Sequence, residues 1–334
     1  MYKNLKLFIV CTLLLTVFIS CKKDEKVNNI EEVKKPKVYV TIYPLYDFTQ
    51  KLAGDKIDLS LIIPNGQEPH DWEPSQNDIK NLENSDLFIY NGAELESWTE
   101  KVIDALDNKN LAVVEASKGI KLLEIEEDHD HDHDHDDEDK LKEEHNDNDK
   151  HDEHEEGHHH HGVDPHVWLN PKNAIVQAEN IERGLSKIDP NNQEFYKGNL
   201  EKLKKEFLDL DKLYRDELSV LSNKTIVVSH EAYGYLCAEY GLEQLGIEGV
   251  MAETEPDAKT IAEIIEIVKD KKITTIFTEE LIEPKIAQTI AEETGAKTEY
   301  LNPLESLSEE EIKEKLDYIA VMKNNLKKFV EALK

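Results

Sequence analysis

The chain carries 14 histidines in 334 residues, and they are unevenly placed. Eleven fall between Glu124 and His161; only His70, His166 and His230 stand outside that window. Imidazole is both a common metal ligand and a proton carrier near neutral pH. The stretch "GHHHHGVDPHVW", residues 157–168, sets the two groups side by side. The run His158, His159, His160 and His161 closes a segment in which histidine alternates with aspartate, as at His129, His131, His133 and His135. Such a pattern suits weak, multidentate capture of borderline divalent metals, without a fixed geometry. His166, inside "DPHVW", returns the chain to ordered sequence.

The three separate histidines have a shared context. His70 follows the β-rich run "IDLSLIIP" (57–64), and His230 follows "TIVVS" (225–229). Ligands of open α/β sheets bind beyond the carboxyl ends of strands. A further strand end, "TTIFTEE", delivers Glu279 and Glu280. Three imidazoles and one carboxylate would form a tetrahedral N/O site, which suits Zn²⁺. Any one of these histidines alone reads more simply as a surface or hydrogen-bonded residue. Together they are the only histidines outside the low-complexity window, and none lies on an apolar helical face.

Positioning them requires a particular architecture. "KVYVTIY" (37–43), "DLFIYNG" (86–92) and "LAVVEA" (111–116) are further β-rich runs in the first half. "LEQLGIE" (242–248), "TTIFT" (274–278) and "KTEYL" (297–301) continue the pattern in the second. Helix signals fall between them, so two α/β lobes with mostly parallel sheets are expected. Between the lobes, Phe195, Leu203, Phe207, Leu210, Tyr214, Leu218 and Leu221 recur near the helical period. That spacing predicts one long helix over 191–222; two helices kinked near Gly198 are the alternative. The expected boundaries are an N-terminal lobe over 36–190 and a C-terminal lobe over 223–334. Ser308 and Glu311 form a capping box opening a terminal amphipathic helix.

Charge narrows the function. The net charge is −32, which argues against nucleic acid as a partner and is compatible with attracting cations. The window 124–161 holds 19 acids and three lysines with almost no apolar residues, and is expected to be a disordered insertion in the first lobe. The N-terminus, "MYKNLKLFIVCTLLLTVFISC", has a basic start and an apolar run from Leu7 to Ile19. This reads as a secretory signal, too short for an ordinary spanning helix. Its end, "FISC", resembles a bacterial lipobox. Residues 1–20 would then be removed, Cys21 lipidated, and 21–35 would serve as a tether to the membrane. Cys237 is left without a partner, as a small buried hydrophobe in a helical pattern.

The segments "PNGQEPHDWEPSQNDIKNLENSDLFIYNG", "DPHVWLNP", "VVSHEAYGYLCAEYGL", "AETEPDAKTIAEI" and "IFTEELIEPKIAQTIAEETGAKTEYLNPLE" closely resemble the zinc-specific substrate-binding lipoproteins of bacterial ABC importers. The resemblance implies two α/β lobes joined by one rigid helix, with the metal in the cleft between them. It implies His70, His166 and His230 as ligands, with Glu279 as the fourth where a protein carboxylate takes that place and water or another carboxylate otherwise, and with Glu280 pointing away. Manganese-binding relatives place a carboxylate at the His230 position and an aspartate near "YLNPLE", where this chain has Asn302 and Pro303. Zinc is therefore the implied metal, and the implied partner is a membrane permease. The protein would act outside the cytoplasm as a monomer that performs no reaction. The alternatives are a manganese-binding homologue, a surface adhesin or metal buffer, and a zinc hydrolase. Against the last, the one H-E-x-x-H match, "HEEGH" at 154–158, falls in the low-complexity window and not in a helical pattern.

Overall fold

A computed structural model describes residues 34–125, 162–252 and 255–334. Several expectations lie outside the described residues: the signal peptide, and Cys21 with most of its tether. The same holds for the histidine-rich segment with His129, His131, His133, His135, His158, His159, His160 and His161, whose expected role in weak metal capture the structure therefore leaves aside.

Two four-stranded sheets, each fully parallel, form the frame. The first has β1 (Lys37–Val40), β2 (Asp58–Leu61), β3 (Leu87–Tyr90) and β4 (Ala112–Glu115), in the order β2-β1-β3-β4. The second has β5 (Thr225–His230), β6 (Glu243–Glu248), β7 (Thr275–Thr278) and β8 (Lys297–Tyr300), in the order β6-β5-β7-β8. The inner strands "LFIY", "TIVVSH" and "TIFT" are rich in β-branched or aromatic residues and almost wholly buried, as a sheet covered on both faces requires. Register sets Val38 opposite Leu87 in the first sheet and Val227 opposite Ile276 in the second. In each sheet the strand order reverses between the two central strands. The switch points therefore lie at the carboxyl ends of β1 and β3, and of β5 and β7.

Helices α1 (Tyr43–Ala53), α2 (Gln76–Glu83), α3 (Thr99–Ala105) and α4 (Pro171–Ile188) cover the first sheet. Gly184 of α4 sits where a Cβ would lie 2.6 Å from Val114 of β4, so this helix packs onto the strand only without a side chain there. The long helix α5 (Gln193–Ser219) runs unbroken through Gly198 for 27 residues, about 40 Å. Its stripe of Tyr196, Leu200, Leu203, Phe207, Leu210, Tyr214 and Leu218 is buried. That stripe packs on α1 and α4 of the first lobe, and on α6 (Gly234–Tyr240) and α10 (Tyr318–Ala332) of the second. One apolar core thus runs through both lobes, from Val38 and Phe48 past Phe207 to Ile226 and Phe329. Helices α7 (Ala258–Asp270) and α8 (Lys285–Thr294) cover the far side of the second sheet.

The terminal segment departs from the single helix expected there. The Ser308–Glu311 capping box is present, but α9 (Glu309–Glu314) stops at Lys315, whose φ is +55°. A new helix, α10, starts from the Asp317 cap, whose carboxylate accepts from Ala320 N. Among the described residues no helix is long and apolar enough to cross a membrane.

Candidate metal centre

Four loops or strand ends converge between the lobes. His70 lies in the loop after β2, and His230 is the last residue of β5. His166 opens a short 3-10 turn, Val167–Leu169, ahead of α4. Glu305 lies in the loop after β8. All four side chains are 0–2% exposed.

The inner ring nitrogens and one carboxylate oxygen form a tight group. His166 Nε2 is 3.2 Å from His70 Nε2 and 3.3 Å from His230 Nε2. Glu305 Oε1 is 3.2 Å from His70 Nε2, 3.0 Å from His166 Nε2 and 3.4 Å from His230 Nε2. Four ligands about 2.0–2.1 Å from a central ion would stand about 3.3 Å apart at tetrahedral corners. The five contacts match those edges.

The outer ring nitrogens are treated unequally. His166 Nδ1 is 2.9 Å from Asp164 Oδ1, which also accepts from His166 N. Asp164 is itself fixed: its N–H donates to Leu123 O, and Tyr235 Oη donates to its carbonyl at 2.8 Å. His230 Nδ1 is 2.8 Å from Glu279 Oε2, at ion-pair distance though off a good hydrogen-bond line. His70 Nδ1 is buried with no partner. Outer carboxylates of this kind orient a ligating ring and raise its basicity.

Glu279, expected as the fourth ligand, is therefore placed elsewhere: it stands behind the His230 ring rather than beside its inner nitrogen. Residues leaving β7 at its carboxyl end reach the outer face of His230, the end residue of neighbouring β5. The inner carboxylate comes from Glu305, one strand further out, through the turn after β8. That turn is built by two asparagines. Asn302 Oδ1 accepts from Leu304 N at 2.6 Å, and Asn325 Nδ2 donates to Asn302 O at 2.6 Å. Leu304 takes a φ of +65°, and Trp168 Nε1 donates to Pro303 O at 2.8 Å. Glu280 is exposed, as expected of the neighbour that diverges after a strand. The one sequence signal for Glu305 is its place as an acid in the "YLNPLE" loop, three residues past Asn302. Reading that loop only for the missing aspartate passes over it.

Electrostatics follow from this packing. Burial alone would raise the Glu305 carboxyl, but hydrogen bonds from His166, His230 and His70 hold it well below the usual range. Burial opposes charge on His166, yet Asp164 and Glu305 raise it above the ordinary imidazole range. His230 is likewise opposed by burial and raised well above that range by Glu279 and Glu305. His70 is lowered, because burial outweighs its one contact with Glu305. Glu68 is the acid at the rim: its side chain is 30% exposed and Oε1 lies 3.8 Å from His70 Nε2. Burial and the charge of Glu305 push it up to about 8.

A two-lobed α/β frame with a buried three-histidine, one-carboxylate group between the lobes defines a metal-binding protein. The chain belongs to the family described as "Zinc-uptake complex component A periplasmic", which it matches over residues 38–332. Members of this family are transport components, not enzymes. It is 38% identical over 327 residues to the high-affinity zinc uptake system protein ZnuA of Bacillus subtilis, covering 98% of this chain and 97% of that protein. It is 37% identical over 324 residues to the zinc-binding lipoprotein AdcA of Streptococcus pneumoniae, covering 97% of this chain but 59% of AdcA. The Zn(II)-bound ZnuA-like domain of Streptococcus pneumoniae AdcA superposes with a TM-score of 0.71 at 34% identity, over 90% of this chain and 99% of the domain.

Proposed function

We propose that this chain captures extracytoplasmic Zn²⁺ between its lobes and delivers it to the permease of an ABC importer. His70, His166, His230 and Glu305 are the ligands, with Asp164 and Glu279 orienting two of the rings. The observation that carries this is the geometry of the inner atoms: 3.0–3.4 Å across five contacts, the edge of a tetrahedron sized for zinc. Three nitrogens and one oxygen favour zinc over manganese, which prefers more oxygen. The family and the zinc-named relatives support the same reading.

Lipidation at Cys21 would tether the monomer to the membrane, with the permease as its partner. The segment 126–161 would supply accessory weak capture through its histidines. Zinc titration of the purified chain against a competing chelator tests the reading. One tight site is expected in the wild type, and its loss in His166→Ala. An unchanged tight site in that variant overturns the assignment.

A further inference from the structure

The switch point of the second sheet is used by the metal centre, through His230 and Glu279. The equivalent place in the first sheet holds no ligand. It holds Glu96, 3% exposed, whose carboxylate accepts from Thr41 Oγ1 at 2.5 Å beyond β1. It also accepts from Asn91 N at 2.8 Å and Gly92 N at 3.0 Å, beyond β3. No lysine, arginine or histidine is among its hydrogen-bond partners in the described residues. The carboxylates of Glu115 on β4 and Glu100 on α3, which with Glu96 raise the hydroxyl of Tyr90 on β3, add no positive charge. Burial accordingly pushes the Glu96 carboxyl up to about 7, against the pull of its three donors. The loop it grips is strained: Gly92, Ala93 and Glu94 all have positive φ, at 78°, 50° and 65°.

A carboxylate buried without a cation is costly to keep, and strained backbone concentrates near functional sites. What the loop touches shows what it serves. Asn91 is fully buried; its Nδ2 donates to Pro165 O at 3.0 Å, and its Oδ1 accepts from Gln177 Nε2 of α4 at 2.9 Å. Glu94 Oε2 accepts from Val163 N at 3.3 Å. Val163 and Pro165 belong to the segment that ends in His166. Glu96 therefore fixes Asn91, and Asn91 fixes the backbone one residue before a metal ligand.

We propose that Glu96 is a positioning residue of the metal centre, acting through Asn91 on the segment that carries His166. The proposal rests on the zinc-binding reading above. Its test compares zinc dissociation rates, measured by chelator capture, in wild type, Glu96→Gln, Asn91→Ala and the double variant. Each single change is expected to speed dissociation by about tenfold, the scale seen when a supporting partner of a ligand is lost. The double variant should be no faster than either single, since both act along one connection. Asn108→Ala is the control: it removes part-buried hydrogen bonds to Glu83 O and Ser85 O at the opposite end of the same sheet, ahead of β3 and β4. That variant should melt earlier with an unchanged dissociation rate. Should Glu96→Gln not fold, Asn91→Ala carries the comparison, because it leaves every donor to Glu96 in place. Dissociation rates for Glu96→Gln and Asn91→Ala equal to wild type would overturn the proposal, as would additive effects. A wild type that binds no zinc would instead overturn the functional reading itself.

Discussion

Glu305 and Glu279 sit on opposite sides of one imidazole: Oε1 of the first is 3.4 Å from Nε2 of His230, and Oε2 of the second is 2.8 Å from its Nδ1. One faces the other inner ligands and the other stands behind the ring, so their removal should differ in kind. Glu305→Ala should remove a ligand and abolish tight zinc binding. Glu279→Gln should leave a site weakened by about 10–100-fold, the range for loss of an orienting partner. Zinc affinities of the two variants, measured against a chelator, check the order. A larger loss in Glu279→Gln would reverse the assignment.

Protons compete with the metal. Burial disfavours charge on His166 and His230, but their carboxylate partners raise both. A raised folded value gives stability that is complete below the unfolded imidazole value, about 6.5, and is lost as pH rises through the folded value. The metal-free chain is thus held partly by its own imidazolium–carboxylate contacts at low pH, while zinc requires neutral rings. Zinc affinity should rise from about pH 6 to about pH 8, and the zinc-induced gain in Tm should be larger at the upper end. Calorimetry in buffers of different ionisation heat should show proton release on binding. Affinity flat across that range would contradict this competition.

Gly234, at the start of α6, faces the carboxylate behind His166. A Cβ there would lie 2.4 Å from Asp164 Oδ2. Gly234→Ala should displace Asp164 and weaken zinc binding, although alanine is the better helix former. Asp164→Asn should weaken it similarly, with about 10–100-fold expected. Unaltered affinity in both variants would show that the Asp164–His166 contact does not support the site.

Deleting 126–161 should leave the tight site intact and remove only additional weak zinc. The ends of the deletion already meet, since Ile125 N donates to Gly162 O at 2.8 Å and Asp164 N to Leu123 O at 2.9 Å. Zinc stoichiometry by equilibrium dialysis distinguishes the two classes. Loss of the tight site would place the main function in the histidine-rich segment, as the metal-buffer reading requires.

Much of this arrangement is legible in the chain. The eight β-rich runs and the helical stripe from Leu203 to Leu218 are local patterns, and the sheets and α5 follow them, while Phe195, the first of that stripe, is exposed. His70, His166 and His230 can be found because strand ends and turns are written in neighbouring residues. The fourth group is marked only as an acid in the "YLNPLE" loop, because choosing it over Glu279 depends on reach. Glu279 and Glu305 both follow strands, and only the three-dimensional turn through Asn302, with Leu304 at positive φ, brings Glu305 inward. The break at Lys315 is hidden for a related reason: the amphipathic pattern continues across it, while the backbone reverses into the left-handed region. Glu96 gives no signal at all, since nothing local shows that an acid is buried without a cation.

The most direct measurement is a crystal structure of the zinc-loaded chain with anomalous scattering recorded on both sides of the zinc edge. One strong peak is expected, coordinated by Nε2 of His70, His166 and His230 and by Glu305, with Glu279 kept behind the His230 ring. A peak bound by Glu279 in place of Glu305, or lying away from these three histidines, would contradict the assignment.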